Sequence, residues 1–182
     1  LGLDPKLFTY QQIKKYFLKK NKIIIIKKNL IDQISKKTIN RFPPFFSLNK
    51  DIVGESSNSK INRISKYLRN INSDFIFVSA PENVAWIMNI RGNDGPNSPI
   101  PNSRLVISKS KKVFLISKIE KCQQLIKEKI ININQFIDEK EFPKKILEFK
   151  GKKFIIDGTS CSIFYEDIIK SKFKIVGRKD PT

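Results

Sequence analysis

Arg91, Asn93 and Asp94 are the side chains whose types and spacing are best suited to chemistry in this chain. They lie in the run Asn89-Ile90-Arg91-Gly92-Asn93-Asp94-Gly95-Pro96-Asn97-Ser98-Pro99, where two Gly, two Pro and three Asn rule out both a helix and a central strand. A polar loop follows from that composition. An arginine there offers a planar fork to a carboxylate, and an aspartate offers a partner to a basic group or to that arginine. The same residues also fit a connector in which Arg91 pairs with Asp94 to brace the loop.

Composition removes much other chemistry. The chain has no histidine, so it contains no histidine acid or base, no Ser-His or Cys-His nucleophile pair and no histidine metal ligand. Cys122 and Cys161 are too far apart in sequence to form a metal-type pair and read as buried free thiols. Asp138, Glu139 and Glu141 read as partners of a helix N-terminus rather than as a catalytic pair. Asp157-Gly158-Thr159-Ser160, between a strand and a helix, has the place of a phosphate cradle but lacks the glycine spacing of a nucleotide motif, so a turn with a helix cap is the better reading.

The elements that must hold the loop can be read on either side of it. Phe75-Ile76-Phe77-Val78 is a buried strand, and Pro81 with Glu82 opens a short helix packed through Val84, Ala85, Ile87 and Met88, with Trp86 as an anchor. Strands over 104–107 and 113–116 form a hairpin. Upstream, Ser57 or Ser59 caps a helix through Asn70 with Ile61, Ile64, Tyr67, Leu68 and Ile71 as its apolar stripe. Downstream come a helix over 118–129, a strand over 130–133, a helix over 136–150 broken near Pro143, a strand over 153–157, a helix over 160–170 and a strand over 173–176. Six strands alternating mostly with helices give an α/β layer with a mixed sheet.

Near the start, Thr9 and Gln12 spell a capping box for a helix over 10–20, followed by a strand over 22–28. One helix and one strand cannot bury their own apolar faces, so residues 1–38 read as the tail of a preceding domain. Residues 39–54 form a Pro-broken linker whose Phe42, Phe45 and Phe46 dock on a neighbouring surface, and 55–182 form the main domain. Without an initiator Met, the chain is expected to begin in mid-protein.

The net charge of +19 raises nucleic acid as a partner, yet thirty lysines spread along the chain against six arginines, without a nucleic-acid motif, argue against it. No apolar run approaches a membrane span. A stand-alone basic α/β module binding nucleic acid or an acidic partner is the alternative that composition leaves open.

The string Asn83-x-Ala85-Trp86-x-x-Asn89-Ile90-Arg91-Gly92-x-Asp94, followed by Pro99 and Pro101 and then a strand, resembles the second domain of three-domain Xaa-Pro aminopeptidases, the aminopeptidase P branch of the creatinase/prolidase ("pita-bread") metallopeptidases. Leu1-Gly2-Leu3-Asp4-Pro5 resembles the end of that family's first domain, and Gly54-Glu55-Ser56 with Lys60 resembles the opening of the second. Asp157-Gly158 and Asp180-Pro181 fall on further landmarks. The resemblance implies a ribonuclease-H-like sheet, as in the creatinase N-terminal domain. It also implies a cytoplasmic homodimer that removes the N-terminal residue from peptides with proline second. A catalytic domain after Thr182 is implied to hold a dinuclear manganese or zinc centre of two Asp, one His and two Glu. This segment itself is then expected to carry no cofactor, metal ligand or catalytic residue. Its Arg91, Asn93 and Asp94 form a loop on the substrate side of the cleft.

Overall fold

A computed structural model describes residues 1–18, 21–26, 28–34, 43–95 and 97–182. The first elements are β1 (Gly2–Leu3), α1 (Tyr10–Tyr16), β2 (Ile24–Ile25) and α2 (Leu30–Ile34). The Thr9–Gln12 capping box opens α1 as its sequence spells, but the helix stops at Tyr16, short of the expected end at Lys20, which lies outside the described residues. The strand expected over 22–28 shrinks to β2, because its parallel partner β1 offers only two residues to pair with. The linker contributes β3 (Phe46–Ser47) and α3 (Lys50–Val53). Phe45 docks and is fully buried, whereas Phe46 stays 40% exposed. Phe42 lies outside the described residues.

The remaining elements are α4 (Ser57–Asn70), β4 (Phe75–Val78), α5 (Pro81–Met88), β5 (Ile90–Arg91), β6 (Arg104–Ser108), β7 (Val113–Ser117), α6 (Ile119–Lys127), β8 (Phe136–Asp138), α7 (Phe142–Lys145), β9 (Lys153–Ile156), α8 (Ile163–Lys170) and β10 (Lys174–Gly177). Six of these strands form a mixed sheet in the order β10-β9-β4-β6-β7-β8. β10, β9 and β4 run parallel, β6 is antiparallel to both β4 and β7, and β8 is parallel to β7. The α/β architecture with a mixed six-stranded sheet is thus the one the sequence leads one to expect.

Alternation along the strands divides the core into two layers. Ile76, Val78, Leu105, Ile107, Leu115 and Ile155 face one way, under α4, α5 and α6. Phe75, Phe77, Val106, Ile116, Phe154 and Ile156 face the other, under Phe142, Ile146, Phe149 and α8. Both faces of β4 are covered, which is why its sequence is apolar without a break.

Three local expectations are corrected. The helix α4 is capped by Ser56, whose Oγ accepts the Ser59 N–H at 3.2 Å, rather than by Ser57 or Ser59; the Ser59 hydroxyl instead donates to Glu55. No strand forms over 130–133. Gln135 N–H donates to Asn132 O and Asn132 N–H to Gln135 Oε1, winding 133–135 into a 3-10 turn, and the sixth strand is β8, entered at Phe136. The helix expected over 136–150 therefore reduces to the single turn α7, which Pro143 opens, and a further 3-10 turn over 146–148.

Asp74 fastens one end of the sheet. Its Oδ2 accepts the Lys152 and Lys153 N–H groups at 2.7 and 3.0 Å, and its Oδ1 lies 2.7 Å from Lys109 Nζ. One carboxylate thus joins β4, the entry to β9 and the β6–β7 hairpin. Burial alone would raise its pKa, but the Lys109 ammonium and the two backbone donors more than offset this and bring it down from 3.8 to about 2. A lowered folded pKa stabilises the fold above the unfolded value and ceases to do so as pH falls through the folded one. Asp74→Asn should therefore cost about 1–2 kcal/mol at neutral pH. In urea titrations that gap to the parent should close as pH drops from about 4 to about 2; a gap that persists unchanged would contradict this role.

Candidate functional site

The loop is positioned by the way α5 ends. Pro81 at its first turn and Glu82 near its positive end start the helix as expected, and Asn89 stops it in the left-handed conformation, at φ 54°. Carbonyls in the last turn of a helix have no partner within it. Here Trp86 O accepts from Lys60 Nζ at 2.6 Å, and Ala85 O accepts from both the Asn89 N–H and Arg91 Nη1, the latter at 3.1 Å. Two cations therefore sit at the negative end of α5.

Lys60 is only 2% exposed. Its ammonium also donates to Asn89 Oδ1 at 2.7 Å and lies 4.3 Å from the centre of the Trp86 indole. Burial pushes its pKa down, against the pull of Glu55. The Asn89 side-chain amide in turn donates to Glu55 O at 2.9 Å. Trp86 is not the core anchor expected: it is 39% exposed, because Val84, Ala85, Ile87 and Met88 take the sheet-facing side of α5, and its ring covers Lys60 and Arg63 instead.

From Asn89 the chain enters β5, which pairs antiparallel with β3, Phe46 opposite Arg91 and Ser47 opposite Ile90. Gly92 follows, packed so closely that a Cβ there would lie 2.7 Å from Phe45 Cδ1 and 2.9 Å from Pro101 Cα. Its N–H donates to Pro99 O, closing the base of the loop.

The structure does not bring Arg91 and Asp94 together as a brace. The Arg91 guanidinium turns back to α5 and to Ile90 O, whereas Asp94 lies beyond Gly92 and faces α6. Its Oδ1 forms a largely buried ion pair with Lys121 Nζ at 2.8 Å, and its Oδ2 accepts the Asn102 N–H at 2.6 Å. Lys121 also reaches Pro43 O, and its own carbonyl accepts from Phe45 N–H, so α6 holds both the linker and the loop. Arg91 is half-buried and uses Nη1 alone; among the described residues its Nη2 and Nε carry no hydrogen bond. Asn93 is exposed.

The other candidates are accounted for by structure. Asp157 Oδ1 accepts from Thr159 N–H and Oγ1, forming the expected turn, but it caps no helix: α8 begins at Ile163, after Ser162. The second oxygen of Asp157 accepts the Asp180 N–H at 2.9 Å, so the two downstream landmarks of the sequence meet. Glu141 stands at the start of α7, while Asp138 closes β8 and accepts the Lys140 N–H. Cys122 and Cys161 are free and buried, and burial pushes both thiols up to about 12. Among the described residues no three His, Cys, Asp or Glu side chains converge as a metal site would require.

Overpacking at Gly92 gives a direct check on this arrangement. Gly92→Ala should destabilise the chain by about 1–3 kcal/mol, because neither the buried Phe45 ring nor the Pro101 backbone has room to retreat. A melting temperature within a degree of the parent would show that the loop base is looser than described.

Comparison with known proteins agrees with this architecture. The family model of the Creatinase/Prolidase N-terminal domain matches residues 36–182. Xaa-Pro aminopeptidase 1 of Dictyostelium discoideum is 28% identical over 182 aligned residues, covering 91% of this chain and 28% of that protein. Aminopeptidase P2 of Arabidopsis thaliana is 27% identical over 114 residues, covering 59% of this chain and 16% of that protein. Among solved structures, an X-prolyl aminopeptidase from Caenorhabditis elegans, described as a cytosolic enzyme with a di-nuclear active site, superposes with a TM-score of 0.76 at 17% identity, over 98% of this chain and 31% of its own. The chain spans less than a third of the length of each of these relatives. Sheet order, helix placement and the match over 36–182 lead to one conclusion: the chain belongs to the Creatinase/Prolidase N-terminal domain family.

Proposed function

We propose that this chain is a non-catalytic N-terminal portion of a cytoplasmic, metal-dependent Xaa-Pro aminopeptidase, with a loop that faces the substrate cleft. The observation that carries the reading is the likeness to Xaa-Pro aminopeptidase 1 over 91% of the chain, which extends across both the main domain and the residues before it. The dinuclear manganese or zinc centre of such an enzyme needs a cluster of carboxylates with a histidine. This chain has no histidine and no convergent carboxylates among its described residues, so the metal chemistry belongs to another segment. What this chain contributes is shape and a guanidinium at the mouth of the cleft.

Residues 1–38 form the tail of a preceding related domain, 39–54 the linker and 55–182 the second domain. Support comes from exposed apolar surface. Of sixteen large hydrophobic side chains exposed among the described residues, ten fall within residues 1–34. Two strands of two residues each cannot cover them. A preceding domain would. The segment meets the second domain through Leu3 and Ile13 against Ile163, and through Phe8 O accepting the Ile163 N–H. A homodimer with two such clefts completes the reading.

The Nη2 and Nε of Arg91, which carry no hydrogen bond among the described residues, suit a peptide carboxylate, and Asn93 stands exposed two residues on. Asp94 has the different task of fixing the loop to α6. In the full-length enzyme assayed on Xaa-Pro peptides with added manganese or zinc, Arg91→Ala and Arg91→Lys should each lower kcat/KM by about tenfold, the loss of one charged hydrogen bond. Arg91→Lys should keep its melting temperature, because an ammonium still caps α5. Variants that melt early yet show unaltered kinetics in the folded fraction would leave Arg91 a structural brace. No turnover by the parent enzyme would remove the peptidase reading itself.

A further inference from the structure

At the end of the sheet where Asp74 lies, the β6–β7 hairpin, the 3-10 turn before β8 and the turn after α7 enclose an open groove of about 690 Å³. Its floor is aromatic. Phe114, Phe149 and Phe75 line it and stack in succession, with ring centres 4.8 and 5.3 Å apart, and Phe75 stacks in turn on the fully buried Phe154. Ile133, 59% exposed, lines one side. Four lysines, Lys109, Lys112, Lys145 and Lys150, stand around it. The two carboxylates present are already engaged, Asp74 by Lys109 and Glu148 by Lys145. Lys112 and Lys150 are exposed and have no carboxylate within ion-pairing distance among the described residues.

We propose that this groove docks an acidic segment of a partner protein, its carboxylates at Lys112 and Lys150 and one apolar side chain seated against Ile133 and Phe114. The inference does not depend on the peptidase reading. Two features select an acidic peptide over a nucleic acid. The cations are all lysines, point charges that serve carboxylates without the fork that reads phosphates and bases. The phenylalanine rings are stacked on one another, and Phe75 and Phe149 are buried, which leaves little open ring face on which bases stack.

The test is fluorescence anisotropy on the 182-residue chain with a short labelled peptide of aspartates and glutamates around one phenylalanine. Lys112→Glu with Lys150→Glu should weaken binding at least about tenfold, while Lys14→Glu with Lys66→Glu, an equal charge change at exposed sites elsewhere, should alter it less than about twofold. Replacing the peptide's phenylalanine by serine should weaken binding several-fold. None of the four lysines replaced has an ion pair among the described residues, so unchanged melting temperatures verify folding. Equal losses for both pairs, or no saturable binding, would overturn the proposal. So would displacement of the peptide by single-stranded oligothymidylate at lower concentration than by unlabelled peptide.

Discussion

A buried ammonium with no ion pair among the described residues holds the most informative part of this molecule together. Lys60 is removed from water and answered by dipoles: the Trp86 carbonyl, the Asn89 amide oxygen and the face of an indole. Desolvating a cation is costly, and a helix C-terminus is one of the few neutral environments that compensates for it. The arrangement works only if α5 stops at Asn89, where a non-glycine residue sits in the left-handed region that asparagine tolerates best. Stopping there sends the chain into β5, pins it to β3 and places Arg91 and Gly92 where they stand. Fold and loop geometry therefore share one cause.

Acidic residues are scarce here, 17 against 36 basic ones, and several of them sit at junctions. Asp74 ties two strands and a hairpin, Asp94 ties the loop to α6, and Asp157 ties the turn before α8 to the C-terminal segment. Glu55 meets both Arg63 and Ser59 at the start of α4. The three aspartates join elements distant in sequence, whereas Glu55 acts locally. The excess lysines, by contrast, lie mostly on the surface, where their mutual repulsion is screened by water and salt.

Much of the fold was legible because the signals were strong and local. The apolar run of β4, the stripe of α4, the Thr9 capping box and the two closely spaced strands of the β6–β7 hairpin each have a pattern that allows one reading. Short apolar runs do not. Ile130 to Ile133 and Phe136-Ile137 are both consistent with a strand, and only the side chains of Asn132 and Gln135, bonding locally, decide that the first turns and the second pairs with β7. The site was half legible. The string around Arg91 could be recognised, but Asp94 meets Lys121 and Asn89 meets Lys60 across distances in sequence that no spacing rule reaches. A signal for Lys60 did exist. It precedes Ile64 by four residues and Leu68 by eight, on the buried stripe of α4, and a lysine on an apolar stripe must find partners inside.

Lys60, rather than an Arg91–Asp94 pair, fixes the loop. Hydrogen–deuterium exchange of Lys60→Met, which keeps the aliphatic stem and removes the donors, measures that claim amide by amide. Leaving Trp86 O and Asn89 Oδ1 without their partner should cost about 1–3 kcal/mol locally, so amides from 89 to 92 should exchange about tenfold faster or more while those of β6 and β7 hold. Unchanged protection at 89 to 92 would contradict this and leave the loop held by its other contacts, the Asp94–Lys121 pair, the β5–β3 pairing and the Gly92–Pro99 hydrogen bond.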